Sequence, residues 1–137
     1  MFSFDYKYRV RYADVDQMGY MYYGHYARLY EIGRVEALRS LGVRYKDFED
    51  QGFIMPVYEN NSKFISPAKY DEMITIRVIL NKIPKARIVF NYEIYNEQEE
   101  RIHLGETTLV FVNTATDRIM ACPENIEIAL APFFKTA

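Results

Sequence analysis

One run of residues constrains this chain more than any other. From Tyr22 to Leu41 the apolar positions Tyr23, Tyr26, Ala27, Leu29, Tyr30, Gly33, Ala37, Leu38 and Leu41 fall on a single broad arc at helical spacing. The arc is wider than a surface helix needs, so the spacing predicts a deeply embedded helix of about 20 residues, roughly 30 Å long. His25, Arg28, Glu36 and Arg39 form its solvent strip, whereas Arg34 lands inside the arc and Glu31 at its edge. Those two are three residues apart and can pair. A buried Glu–Arg pair serves either structure or chemistry, and both roles stay open for Glu31. Gly42 has the type and place of a helix stop.

The remainder reads as strand that would cover this helix. Phe2 to Tyr12 alternates apolar and charged residues with period two. Ala13 to Met21 breaks both periods and connects to the helix, with Gly19 supplying freedom for a sharp bend. Val43 to Gly52 is a loop with a short helical turn anchored by Tyr45 and Phe48. Phe53 to Phe64 is a second strand, broken early by Pro56, and Ser66-Pro67-Ala68 forces a further break. Asp71 to Ile83 and Arg87 to Tyr95 form a hairpin around Pro84-Lys85. After a turn at Asn96 to Glu100, Arg101 to Val112 is apolar on both sides beyond Thr108, as a central strand would be. Asn113 to Arg118 is a turn by composition, and the tail to Ala137 is either a short helix or irregular packing. Strands joined by tight turns imply antiparallel pairing. The expectation is one α+β domain over residues 1–137, a curved antiparallel sheet wrapped around one long central helix.

Several function classes are excluded by the composition. A net charge of −2 with 26% charged residues leaves neither a nucleic-acid footprint nor a polybasic membrane patch. Cys122 is the single cysteine, and His25 and His103 lie in different elements, so neither a disulfide framework nor a metal site is expected. The first twenty residues carry Asp5, Lys7, Arg9 and Arg11 instead of a signal-peptide core, and no run reaches the length of a membrane span. A cytoplasmic protein is the expectation. Thirteen tyrosines and nine phenylalanines with no tryptophan supply rings with and without a polar tip for core, interface and pocket.

The order of elements, together with Asp16, Gly19, Tyr22, Tyr26, Glu31, Arg34 and Glu36, then Pro67-Ala68-Lys69-Tyr70-Asp71, resembles the hotdog-fold acyl-CoA thioesterases of the 4-hydroxybenzoyl-CoA and YbgC-like group. The similarity covers nearly the whole chain. It implies that Asp16 is the catalytic carboxylate and that the backbone N–H of Tyr23, at the helix start, polarises the thioester carbonyl, with Glu31 in support. Helix N-termini offer unpaired N–H groups and a positive dipole end, where a developing oxyanion gains most. Asp16 would then attack the carbonyl or activate water. Gly19, Tyr22 and Tyr26 are expected to bind the substrate. Many relatives carry His where this chain has Tyr23, so only the backbone role carries over. His25 reads as a rim residue on the polar strip. Asp14 reads as a turn or capping carboxylate, or as a second acid sharing the site. Asp16 itself, without the resemblance, would be an ordinary helix-stabilising acid.

The reaction so implied is hydrolysis of an acyl-CoA thioester without metal or bound cofactor. Lys63, Lys82, Lys85 and Arg87 are the cations nearest predicted strand ends and the candidates for the CoA phosphates, with Lys63, Lys85 and Arg87 taken as substrate-binding residues. Two alternatives stay open: an acyl carrier protein as the thioester donor, and a domain that binds acyl-CoA without turnover. A small sheet with one helix leaves strand edges uncovered, so a homodimer is expected. The resemblance adds a site at the dimer interface, often within a homotetramer.

Overall fold

The computed structural model describes residues 1–134. Seven strands and three helices follow in the order β1 (Phe2–Arg9), α1 (Tyr26–Arg39), α2 (Phe48–Gln51), β2 (Phe53–Ile54), β3 (Val57–Phe64), β4 (Met73–Leu80), β5 (Arg87–Tyr95), β6 (Arg101–Asn113), β7 (Arg118–Met120) and α3 (Glu124–Leu130). All pairings are antiparallel, in the order β1-β4-β5-β6, with β3 and β2 along the other edge of β6 and β7 at its end. β6 is thus the central strand, paired along both edges and apolar on both faces beyond Thr108. Helix α1 lies against β1 and β4, and the core forms between them: Leu29, Tyr30, Ala37 and Leu38 meet Ile74, Ile76, Val78, Leu80, Ile88, Phe90 and Ile94, all fully buried. Gly33 permits the close approach, because a Cβ there would stand 2.8 Å from Val78 Cγ2.

The α+β architecture expected from the sequence is present, with three differences of length. Helix α1 has 14 residues, about 21 Å, and not twenty. Its first turn is a tight three-residue coil, Tyr23–His25, and its end comes at Ser40, after which Gly42 takes a left-handed φ of 80° and the Val43 N–H closes on Leu38 O. β1 stops at Arg9, because Asp14 captures the Arg11 N–H and winds Tyr12–Asp14 into a tight turn; Tyr12 is 81% exposed, not the continuation of the apolar face. The tail forms a short strand, β7, that the turn-rich composition concealed, and then the short helix α3.

Strand β3 differs from the rest. Pro56 separates it from β2, as expected, and it pairs with β6 on one edge only. All eight of its residues are exposed, in contrast to the strict alternation of β4 and β5. No helix among the described residues is long and apolar enough to cross a membrane.

Candidate active site

The connection before α1 is a miniature hairpin. The Tyr22 N–H donates to Asp14 O and the Asp16 N–H to Tyr20 O, with Val15 bridged to Met21 between them. Gly19 makes the bend at a φ of 78°, a conformation that costs side-chain-bearing residues energy. The Asp16 carboxylate accepts the Met18 N–H at 2.9 Å and is otherwise half open to solvent, leaving most of its acceptor capacity free. The loop is fastened to the segment before β4 by a Met21 N–H bond to Ala68 O at 2.8 Å and by the Tyr20–Lys69 bridge.

Asp14 fastens the other side. Its buried carboxylate accepts the Tyr8 hydroxyl at 2.6 Å, the Arg11 N–H at 2.8 Å and the Arg28 guanidinium at 2.6 Å. Burial pushes the carboxyl up, but the Tyr8 and Arg11 bonds and the Arg28 charge outweigh it and hold Asp14 below the usual carboxylate value. Two aspartates two residues apart therefore have opposite circumstances. Asp14 accepts three donors and ties β1 to α1, while Asp16 accepts one and has the greater room for a ligand.

At the helix start the His25 N–H returns to Tyr22 O and the Tyr26 N–H to Tyr23 O, so the Tyr23 and Gly24 N–H groups precede any intrahelical acceptor. Gly24 lets the Tyr22 ring fold over the backbone: a Cβ there would come 2.7 Å from Tyr22 Cε2. Tyr22 lies against Tyr23 and meets His25 edge-on, and the Tyr22 and Tyr23 rings are exposed. Tyr26 lies inward, as its place on the apolar arc implies. It is buried, its ring stacked at 4.0 Å on His103 and edge-on to Phe64, so it supports the helix start from beneath.

Under Tyr26 sits a polar network that sequence reasoning did not find. The Tyr30 hydroxyl bonds Ser62 Oγ at 2.6 Å and His103 Nε2, while His103 Nδ1 has no partner. Burial pushes His103 down to about 4 and Tyr30 up to about 12, so both are neutral near pH 7. Gly105 makes the space, since a Cβ there would overlap the Tyr30 hydroxyl. The available signal was a lone histidine and a glycine in a central strand. The Tyr8–Asp14–Arg28 clamp left no such trace, because Arg28 sits on the polar strip.

Glu31 and Arg34 do not form the expected pair. Glu31 is exposed, whereas Arg34 turns inward and donates to the Tyr92 hydroxyl at 3.4 Å. Both line a cavity of about 340 Å³ with Ala27, Arg28, Val57, Asn60 and Thr107. Lys82, Lys85 and Arg87 are brought together on a cavity of about 400 Å³ at the β4–β5 turn, and the Arg87 guanidinium lies over the Tyr58 ring. Lys63 is apart from them: it pairs with Leu104 while Arg87 pairs with Val110, six residues or about 20 Å along β6.

Known proteins resemble this chain in sequence and in fold. Residues 10–130 match the family model of the thioesterase-like superfamily. The chain belongs to that superfamily. YneP of Bacillus subtilis (strain 168), provisionally named an acyl-CoA thioesterase, is 34% identical over 91 residues, 66% of each chain. The acyl-CoA thioester hydrolase YbgC of Escherichia coli O6:H1 is 25% identical over 86% of this chain and 88% of its own. The structure of a DHNA-CoA thioesterase from Staphylococcus aureus superposes with a TM-score of 0.83 at 30% identity, covering 98% of this chain and 85% of that one. The fold is the hotdog fold, and the chain is a thioester hydrolase.

Proposed function

We propose that the chain hydrolyses an acyl-CoA thioester to a free carboxylic acid and CoA, with Asp16 as the reacting carboxylate and the Tyr23 N–H as oxyanion donor. The observation that carries this reading is the pairing, on one pinned loop, of a carboxylate with free acceptor capacity and a helix start whose N–H groups have no intrahelical acceptor. In the water-activating form, Asp16 takes a proton from water as its oxygen bonds the carbonyl carbon. The carbonyl oxygen becomes an oxyanion held by the Tyr23 N–H. Collapse breaks the C–S bond, and the departing CoA thiolate takes up a proton. In the nucleophilic form an Asp16 acyl anhydride precedes the attack by water.

The CoA phosphates belong with Lys82, Lys85 and Arg87, but in one chain these lie at the far end of the sheet from the helix start. Arg87 pairs with Val110, whereas Ile94 pairs with His103, directly under Tyr26. That separation is about 24 Å along β5. A second copy adding antiparallel to the free edge of β3 brings its Val57 end, with the Tyr58–Arg87 contact, beside this chain's Phe64 end, Lys63 and helix start. A homodimer with composite sites follows, each combining Asp16, Tyr23 and Lys63 of one protomer with Lys85 and Arg87 of the partner subunit.

The decisive assay is free-thiol release from an acyl-CoA panel from acetyl to palmitoyl with aromatic members, for wild type and Asp16→Asn, with acyl carrier protein thioesters run beside it. Asp16→Asn is expected to lower turnover by on the order of 10²- to 10⁴-fold without unfolding the protein. Near-normal turnover in that variant overturns the assignment. Mixing Asp16→Asn with Arg87→Ala subunits should restore activity by assembling one intact site per mixed dimer; no recovery despite subunit exchange argues for sites within single chains.

A further inference from the structure

Arg34 is buried to 8% residual exposure, and no carboxylate among the described residues forms an ion pair with it. Its Nη1 reaches the Tyr92 hydroxyl only at 3.4 Å, its Nε has no partner, and the buried Tyr45 hydroxyl beside it has none either. An arginine stays charged at any ordinary pH, and a buried charge without a counter-ion is costly. Arg34 lines the 340 Å³ cavity between α1 and β3, so its wall carries a buried cation with no ion-pair partner among the described residues.

The rest of the lining suits an anion. Asn60 accepts the Thr107 hydroxyl through Oδ1, which leaves its amide N–H groups for the cavity, and the Arg28 charge is already met by Asp14. Glu31 is the one acid on the wall, and it sits exposed at the mouth. The cavity begins at Ala27, one helical turn beyond Tyr23. Arg34 is eleven residues after Tyr23, roughly 16 Å of helix rise, with side chains leaning back toward the helix start. A group that has its thioester carbonyl at the Tyr23 N–H thus reaches Arg34 only if it is of medium length.

Resting on the acyl-CoA reading above, we propose that this cavity receives the far end of the acyl group and that Arg34 selects acyl groups ending in a carboxylate. Val57 and Asn60 belong to the free edge strand, so a second copy on β3 would roof the cavity and strengthen the interaction by excluding water.

The test compares kcat/KM for suberoyl-CoA, bearing a terminal carboxylate, with octanoyl-CoA of equal chain length. Wild type should favour suberoyl-CoA, and Arg34→Met should lower the suberoyl-to-octanoyl ratio by on the order of 10- to 100-fold, the worth of a charge-assisted hydrogen bond. Glu31→Gln, an exposed change that spares folding, should raise the same ratio by removing the competing carboxylate. A wild-type ratio at or below one, or a ratio unmoved by both variants, overturns the proposal while leaving thioester hydrolysis intact. Should neither be hydrolysed while another acyl-CoA of the panel is, the proposal is overturned; should none be, the enzymatic reading fails instead, and binding of free suberate by calorimetry decides the cavity: uptake lost in Arg34→Met supports it, and no uptake by wild type overturns it.

Discussion

His103 should make the protein acid-sensitive well above the range where carboxylates titrate. The ring is fully buried, stacked on Tyr26, and held neutral near a pKa of about 4 against an ordinary 6.5. Below the ordinary value the unfolded chain takes up a proton that the folded chain refuses, so stability rises with pH and falls as pH drops from about 6.5 toward 4. A shift of this size is worth about 3 kcal/mol in full, and roughly 2 kcal/mol of it is lost between about pH 7 and about pH 5. Asp14 acts lower. Its depressed carboxyl contributes stability that is present above the unfolded value of 3.8 and goes only as pH falls through the folded value. The two groups thus have separate windows. His103→Phe keeps a ring against Tyr26 and leaves the Tyr30 hydroxyl its bond to Ser62. Urea unfolding at fixed protein concentration, from about pH 7.5 to about pH 4.5, should show the variant losing about 2 kcal/mol less than wild type. Parallel pH dependences for the two proteins would refute the argument, whatever their absolute stabilities.

Two further substitutions probe the supports of the site. Gly105→Ala forces a methyl group into the immobile Tyr30 ring and hydroxyl, and should destabilise by about 2 to 4 kcal/mol in thermal or urea unfolding. Arg28→Met removes the charge that meets buried Asp14 but leaves the Tyr8 and Arg11 bonds; because Arg28 is 45% exposed, the cost should be about 1 to 2 kcal/mol, with the low-pH unfolding midpoint moved upward.

The sequence carried the fold further than the site. Period two over Met73–Leu80 and Arg87–Tyr95, and the apolar arc of α1, are direct consequences of which faces are buried, so they were legible residue by residue. Helix length was overestimated because Tyr23 and Leu41 continue the apolar arc, whereas the helix ends are set by backbone bonds at Tyr22 and Leu38. Glu31 and Arg34 show a different limit. Spacing brings two side chains onto one helix within reach, but Arg34 turns instead to Tyr92, on a distant strand. The Asp14 clamp and the Tyr30–His103–Ser62 network are likewise meetings of three elements, and no local pattern encodes them.

The homodimer proposed above makes a specific prediction at strand β3. An antiparallel copy centred on Asn61 sets Glu59 against Lys63, Asn60 against Ser62, and the apolar end Val57-Tyr58 against Phe64-Ile65. Any other register loses the charge match, and every pairing is made twice by the two-fold axis. Unprotected edges are aggregation sites unless polar or irregular; the polar centre of β3 and its bulge between Val57 and Glu59 deter foreign strands while fitting a second copy. Exposed ion pairs contribute up to about 1 kcal/mol each and like charges opposite cost as much. Glu59→Lys, which sets the introduced ammonium against Lys63 of the facing strand twice over, should therefore weaken the dimer by about 2 kcal/mol, roughly 30-fold in dissociation constant. Glu59→Lys with Lys63→Glu restores the match in reversed order and should regain most of that loss. Sedimentation equilibrium across concentrations reads both. A wild-type monomer, or a double variant no tighter than the single, would refute this register, since only direct opposition of the two positions predicts the rescue.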